Sequence, residues 1–176
     1  LHTHAAVAAR AALPLVLCLG SPWHGHVMQD TPEAAMQRVV HFFEHLQPAD
    51  VVNIAQLYTS DAQFKDPFNE VHGVPAIERI FVHMFEALNA PHFVITHQVL
   101  QDTQCFVTWS FFFSMPRMDN GAIQTIRGAT HFVLREETGL WRVAVHRDYW
   151  DAAEELYEKL PVVGRVMRWL KKRVNS

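Results

Sequence analysis

Little in this 176-residue chain supports cross-linking, metal clustering or polyanion binding. Cysteine occurs twice, at Cys18 and Cys105; the two lie far apart and match no metal or redox spacing, so no disulfide framework is expected and a reducing compartment fits best. Lys and Arg number 15 against 18 Asp and Glu, and the only basic cluster is terminal, which argues against a dedicated nucleic-acid surface. The first apolar run, from Ala11 to Gly20, is shorter than the roughly 20 residues a membrane span needs. Twelve histidines are present but scattered. His41 and His45 have ligand-like i,i+4 spacing without an evident third partner, so no metal site is expected. No phosphate loop, nucleophile elbow or internal repeat is seen, and no cofactor is expected.

What is present is an apolar fraction of 49%, enough for one real core at roughly 100 to 200 residues per domain. Residues 1–27, rich in Ala and Leu, read as a leader outside the domain: an over-extended reading frame ahead of a start at Met28, or alternatively a signal-like segment with Arg10 as a thin positive region. The first choice carries the expectation of a cytoplasmic protein. The domain is expected over 28–151, and 152–176 as a helical extension.

Helical signals open at "DTPEAAMQRVV", with Thr31 as N-cap and Pro32 at the first helical position. Met36, Val39, Val40, Phe43 and Leu46 form one apolar stripe until Pro48 interrupts. A second short helix is expected from Asp50 to Tyr58, a strand from Ala62 to Lys65, a loop from Asp66 to Gly73, and a third helix carrying Ile77, Ile80, Phe81, Met84, Phe85 and Leu88 to about Asn89. Four segments rich in β-branched and aromatic residues follow, separated by turn signals at "DTQ", "RMDNG" and "EETG". They predict an antiparallel meander. Helices first and strands later point to an α+β domain: a curved antiparallel sheet forming a cone-like pocket packed with the N-terminal helices. Such a concave face suits a small hydrophobic molecule.

The stretch "LYTSDAQFKDPFNEVHGVPAIERIF", residues 57–81, resembles the nuclear transport factor 2-like superfamily, and within it the SnoaL-like and ketosteroid isomerase-like branch. Helix end, short strand, Asp-Pro, a loop with Gly and a helix opening with "AI" occur in that family's order, and the resemblance runs from about Met36 to Asp151. It implies the cone fold and, through a subunit contact on the outer sheet face, a homodimer. It does not single out a reaction, because such families include isomerases, cyclases, dehydratases, epoxide hydrolases and non-catalytic binders. "HRDYWDAAEELYEKLP" is also similar to a largely uncharacterised bacterial subgroup. In ketosteroid isomerases the Asp of this Asp-Pro pair is the general base, which matches Asp66. Their oxyanion tyrosine falls on Phe42 and their protonated Asp on Thr130 by ungapped counting, so steroid isomerisation by that mechanism is not expected.

Read from the residues alone, Asp66 is either a desolvated acid/base group or the residue that turns the chain before Pro67. In "VAVHRDYW" strand alternation sends Ala144, His146, Asp148 and Trp150 to one face and Val145, Arg147 and Tyr149 to the other. With the first set inside, His146 and Asp148 become the catalytic counterpart of Asp66; a one-residue slip would reverse the faces. Trp109, Phe132, Trp150, Thr130 and Phe42 are the candidate substrate contacts, while Arg127 and His131 are assigned to the outer face. The tail "VVGRVMRWLKKRVN" is amphipathic and basic, which suits packing on its own domain, a weak membrane-surface contact or a partner protein. Two functions stand at this point. One is an isomerase-, cyclase- or dehydratase-type enzyme with an acid/base carboxylate; the other is a non-catalytic binding or accessory protein for a hydrophobic ligand.

Overall fold

The structure, a computed structural model, describes residues 29–115 and 121–152. The leader 1–27 and, apart from Ala152, the C-terminal extension with its basic helix lie outside the described residues.

Helix α1 (Pro32–His45) begins as its sequence predicts. The Thr31 hydroxyl accepts a hydrogen bond from the Ala34 N–H at 3.2 Å, and Ala35, Met36, Val39 and Phe43 form the buried face. A 3₁₀ helix (Pro48–Gln56) follows, starting and ending two residues earlier than expected. Tyr58 belongs instead to β1 (Tyr58–Lys65). The polar run "YTSD" looks like a turn in isolation. Distant partners hold it extended: the Val143 N–H donates to Leu57 O at 2.8 Å, and the Ser60 hydroxyl donates to Glu137 Oε1 at 2.9 Å.

The expected loop from Asp66 to Gly73 contains a short strand, β2 (Glu70–His72), antiparallel to the end of β1. Gly73, at φ 81°, takes a conformation that L residues disfavour. It launches α2 (Val74–Ala87), whose Ile77 and Phe81 are buried. The helix stops ahead of the expected Asn89, which opens β3 (Asn89–Gln101). Strands β4 (Gln104–Ser114), β5 (Gln124–Glu137) and β6 (Leu140–Tyr149) complete the chain order. The β5–β6 turn, Thr138-Gly139, has positive φ at both residues, as two-residue hairpins require.

The strands form one six-stranded sheet in the order β2-β1-β6-β5-β4-β3. From β3 to β6 it is the expected antiparallel meander, but β1 runs parallel to β6, so the sheet is mixed and does not close. Turn signals report only pairings between sequence neighbours; the β1–β6 pair is joined by a long crossover and leaves no local mark. Register shifts at Ile95/His97 and Val133/Leu134 add the local twist and bending of β-bulges. Helices α1 and α2 pack on the concave side, where α1 touches β3 and β6 and α2 touches β1 and β3.

Asp30 clasps α1 to the sheet. Its carboxylate accepts from both terminal guanidinium nitrogens of Arg38, at 2.7 and 2.8 Å, and from the Trp141 N–H at 2.7 Å. The Arg38 guanidinium, with the Trp141 N–H, holds the Asp30 carboxyl below its ordinary value of 3.8. Stability from a depressed carboxylate is complete above the unfolded value and disappears as pH falls through the folded one. Asp30→Asn is therefore expected to cost about 1–2 kcal/mol at neutral pH, with the difference from the parent shrinking below about pH 3.8; urea unfolding at both pH values measures it.

Candidate functional site

The site is made by β6. Leu134 pairs with Val143 and Val133 with Val145, so Ala144 is an extra residue on the β6 side. The bulge turns Val143, rather than the expected Ala144, into the core. Beyond it His146, Asp148 and Trp150 line the concave cavity. Arg147 and Tyr149 are exposed, with the Arg147 guanidinium carbon 5.0 Å from the Tyr149 ring centre. His131 is stacked on exposed Phe106 at 4.4 Å and Arg127 is exposed, as the outer-face assignment requires.

His146 is 4% exposed. Phe64, Phe132 and Phe43 surround its ring at centroid distances of 4.6, 4.7 and 5.8 Å. Its two nitrogens have different partners: Nδ1 lies 2.6 Å from the Tyr58 hydroxyl, and Nε2 lies 3.0 Å from Asp148 Oδ1. Burial, followed by the negative charge of Asp148, pushes the Tyr58 phenol well above its ordinary value. Tyr58 thus keeps its proton. The Asp148 carboxylate can only accept, so Nε2–H points at it, and in the neutral imidazole Nδ1 accepts from the Tyr58 hydroxyl.

A second chain reaches the same oxygen. The Trp109 indole N–H, which can only donate, donates to Thr130 Oγ1 at 2.8 Å. The Thr130 hydroxyl in turn donates to Asp148 Oδ1 at 2.5 Å. Thr130 is therefore engaged by Asp148 rather than free to act as an oxyanion donor. Gly128, opposite Trp109 in the sheet, makes this possible. A Cβ there would sit 2.5 Å from two ring atoms of the indole and 3.0 Å from Trp150 Cβ.

The cavity has a volume of about 590 Å³, within the size range of small-molecule sites. Phe43, Phe64, Phe93, Trp109, Phe132 and Trp150 contribute aromatic wall. Phe42 does not reach the cavity. It sits edge-on to Phe43 at 5.6 Å and packs at the margin of the core, because the neighbouring position of α1 faces inward.

Asp66 lines the cavity too, but its carboxylate is occupied by the loop. Oδ1 accepts the Phe68 and Asn69 N–H groups at 2.7 and 2.6 Å, and the Asn69 side-chain amide reaches Oδ1 and Oδ2 at 3.1 and 3.0 Å. This is the geometry of the turn-forming alternative. Tyr58 was missing from the sequence-based set because its residue falls at an apparent helix end, and its partner strand lies 88 residues away. Among the described residues no cluster able to hold a metal ion is found, and no helix is long and apolar enough to cross a membrane.

Residues 39–157 match the family model of the SnoaL-like domain. The chain belongs to the SnoaL-like family. Its fold is shared with a SnoaL-like member of the superfamily from Jannaschia sp. described as a polyketide cyclase, at 13% identity and a TM-score of 0.56 over 68% of this chain and 87% of the other. An epoxide hydrolase of the LEH-like type from M. tuberculosis aligns at 16% identity and TM-score 0.57, covering 74% and 90%. A protein of ketosteroid isomerase-like fold from Catenulispora acidiphila, solved with trimethylamine, aligns at 15% identity and TM-score 0.57, covering 72% and 91%. Identities this low establish the fold alone. No curated protein matches the chain.

Two measurements test the network of this SnoaL-like domain. Gly128→Ala is expected to displace Trp109, cost about 1–3 kcal/mol and alter near-ultraviolet circular dichroism; unchanged spectra and stability would contradict the close approach. For Tyr58, the raised value means that its contribution to stability is complete below pH 10.0 and is lost as pH rises through the native value. An alkaline absorbance titration should therefore show Tyr58 ionising only with unfolding, a step absent from Tyr58→Phe.

Proposed function

We propose that this SnoaL-like protein transfers a proton on a small hydrophobic substrate, with Asp148 as the proton acceptor. The observation that carries this reading is the convergence of two hydrogen-bond chains, Tyr58 to His146 and Trp109 to Thr130, on Asp148 Oδ1. Among the described residues Oδ2 has no hydrogen-bond partner, and Asp148 stands in the cavity wall with its side chain 17% exposed. A proton leaving a bound substrate goes to Oδ2 while Oδ1 remains anchored, and the resulting acid returns it to another substrate atom or to water. His146, Tyr58, Thr130 and Trp109 are positioning residues here. Asp66 holds the loop at the cavity wall.

A second reading, binding without turnover, is favoured by one feature. Every donor of the network already has an acceptor, so none is left for a developing oxyanion. An isomerisation through an enolate is thereby disfavoured relative to chemistry that needs a base alone. The exposed Val99 and Phe106 on the outer face support the expected homodimer.

Nitrobenzisoxazole opening separates the two readings, because it needs a base and an apolar pocket. The ring C–H proton goes to the carboxylate, the C–H electron pair completes the nitrile, and the N–O bond breaks to release a phenolate. Saturable acceleration is expected, falling by about 10²-fold or more in Asp148→Asn and little changed in Asp66→Asn. A rate that survives Asp148→Asn rules out Asp148 as the acceptor; no acceleration by the parent protein leaves the binding reading.

A further inference from the structure

The polar groups of the cavity are unequal in kind. Tyr58, His146, Thr130 and Trp109 supply four donors, and all four point along the network toward Asp148. Asn69 turns its amide to Asp66. What the network leaves for a ligand is an acceptor, and that acceptor carries charge. Besides His146, the basic side chains of the lining, Arg79 and His83, come from α2 and are exposed; His83 also lies 3.6 Å from Glu86. Lys65, near the rim, is paired with Glu70, and Arg147 lies over Tyr149 on the outer face.

A carboxylate oxygen left without a hydrogen bond in an apolar wall is poorly solvated, and a ligand that brings a charged donor to it restores what water would have supplied. Aromatic faces add attraction for the same kind of ligand, since their quadrupoles favour cations over anions. Trp150, one residue past the end of β6, lines the cavity with Asp148, and Phe68 stands edge-on to it at 5.3 Å. A carbonyl or carboxylate headgroup finds neither a free donor nor a favourable charge in this network.

We infer that the cavity takes a hydrophobic ammonium, a protonated amine on an aromatic or aliphatic body, with its N–H directed at Asp148 Oδ2. The inference rests on the reading of Asp148 as the carboxylate of the cavity that keeps one oxygen without a hydrogen bond among the described residues, both oxygens of Asp66 being held by its loop, and it does not require turnover. For a proton-transfer enzyme it identifies the substrate class as amines whose cationic group is held, or deprotonated, by Asp148.

Three probes with one body decide it: naphthylmethylammonium, naphthylmethanol and naphthoate, titrated calorimetrically at neutral pH into the full chain. The ammonium is expected to bind about tenfold or more tighter than the alcohol, and the carboxylate most weakly. In Asp148→Asn the ammonium should fall to the level of the alcohol, while retained alcohol binding shows that the cavity is intact. If that variant fails to fold, thermal shifts of the parent protein with the ammonium and the naphthoate give the same ranking. Naphthoate binding as tightly as the ammonium, or an ammonium preference that survives Asp148→Asn, overturns the inference. Ammonium preference without nitrobenzisoxazole opening leaves the ligand class standing and removes catalysis; opening without the preference does the reverse.

Discussion

Asp148 Oδ1 accepts two hydrogen bonds from opposite sides, and the concave face is organised around that atom. His146 reaches it from the same strand, and Thr130 reaches it from β5. Behind each stands an aromatic donor on another strand, Tyr58 on β1 and Trp109 on β4. Four strands are thus tied through side chains to one carboxylate oxygen. Buried polar groups cost free energy unless they are partnered, and here each donor of the network has one acceptor. Satisfied in this way, the network fixes the imidazole tautomer and the threonine rotor without help from solvent.

The apolar surroundings and the network depend on each other. Three phenylalanines enclose His146, so water does not compete for its nitrogens. The flat packing of Trp109 over Gly128 sets the indole where its N–H meets Thr130. Gly128 therefore acts through the absence of a side chain. The bulge at Ala144 acts through register: it keeps Val143 in the core and still presents His146 and Asp148 to the cavity.

Much of this was legible in the residues. Periodicity and capping located α1, and the β-branched and aromatic runs located the meander. Alternation in "VAVHRDYW" put His146, Asp148 and Trp150 on one face, where the cavity lies. Its failure at Ala144 has a physical cause, since a bulge changes parity without altering composition. Tyr58 could not be found locally, because a polar segment becomes a strand only against a parallel neighbour from the far end of the domain. Counting without gaps put an aromatic on Phe42, whereas the face of α1 is set by its helical turn and presents Phe43. For Asp66, composition supports both a reactive and a turn-forming carboxylate, and four hydrogen bonds from the following loop distinguish them.

The parallel pairing of β1 with β6 has a kinetic side. Tyr58 and His146 are 88 residues apart, and β2 and the first three strands of the meander lie between them. Contacts of such sequence separation require closing a long loop before they return any stabilisation, and they slow folding accordingly. On the ribosome the β3–β5 portion emerges and can pair before β6 is available. The polar network can close only after β6 has been synthesised, so the feature that defines the site also marks a late event in the formation of the domain.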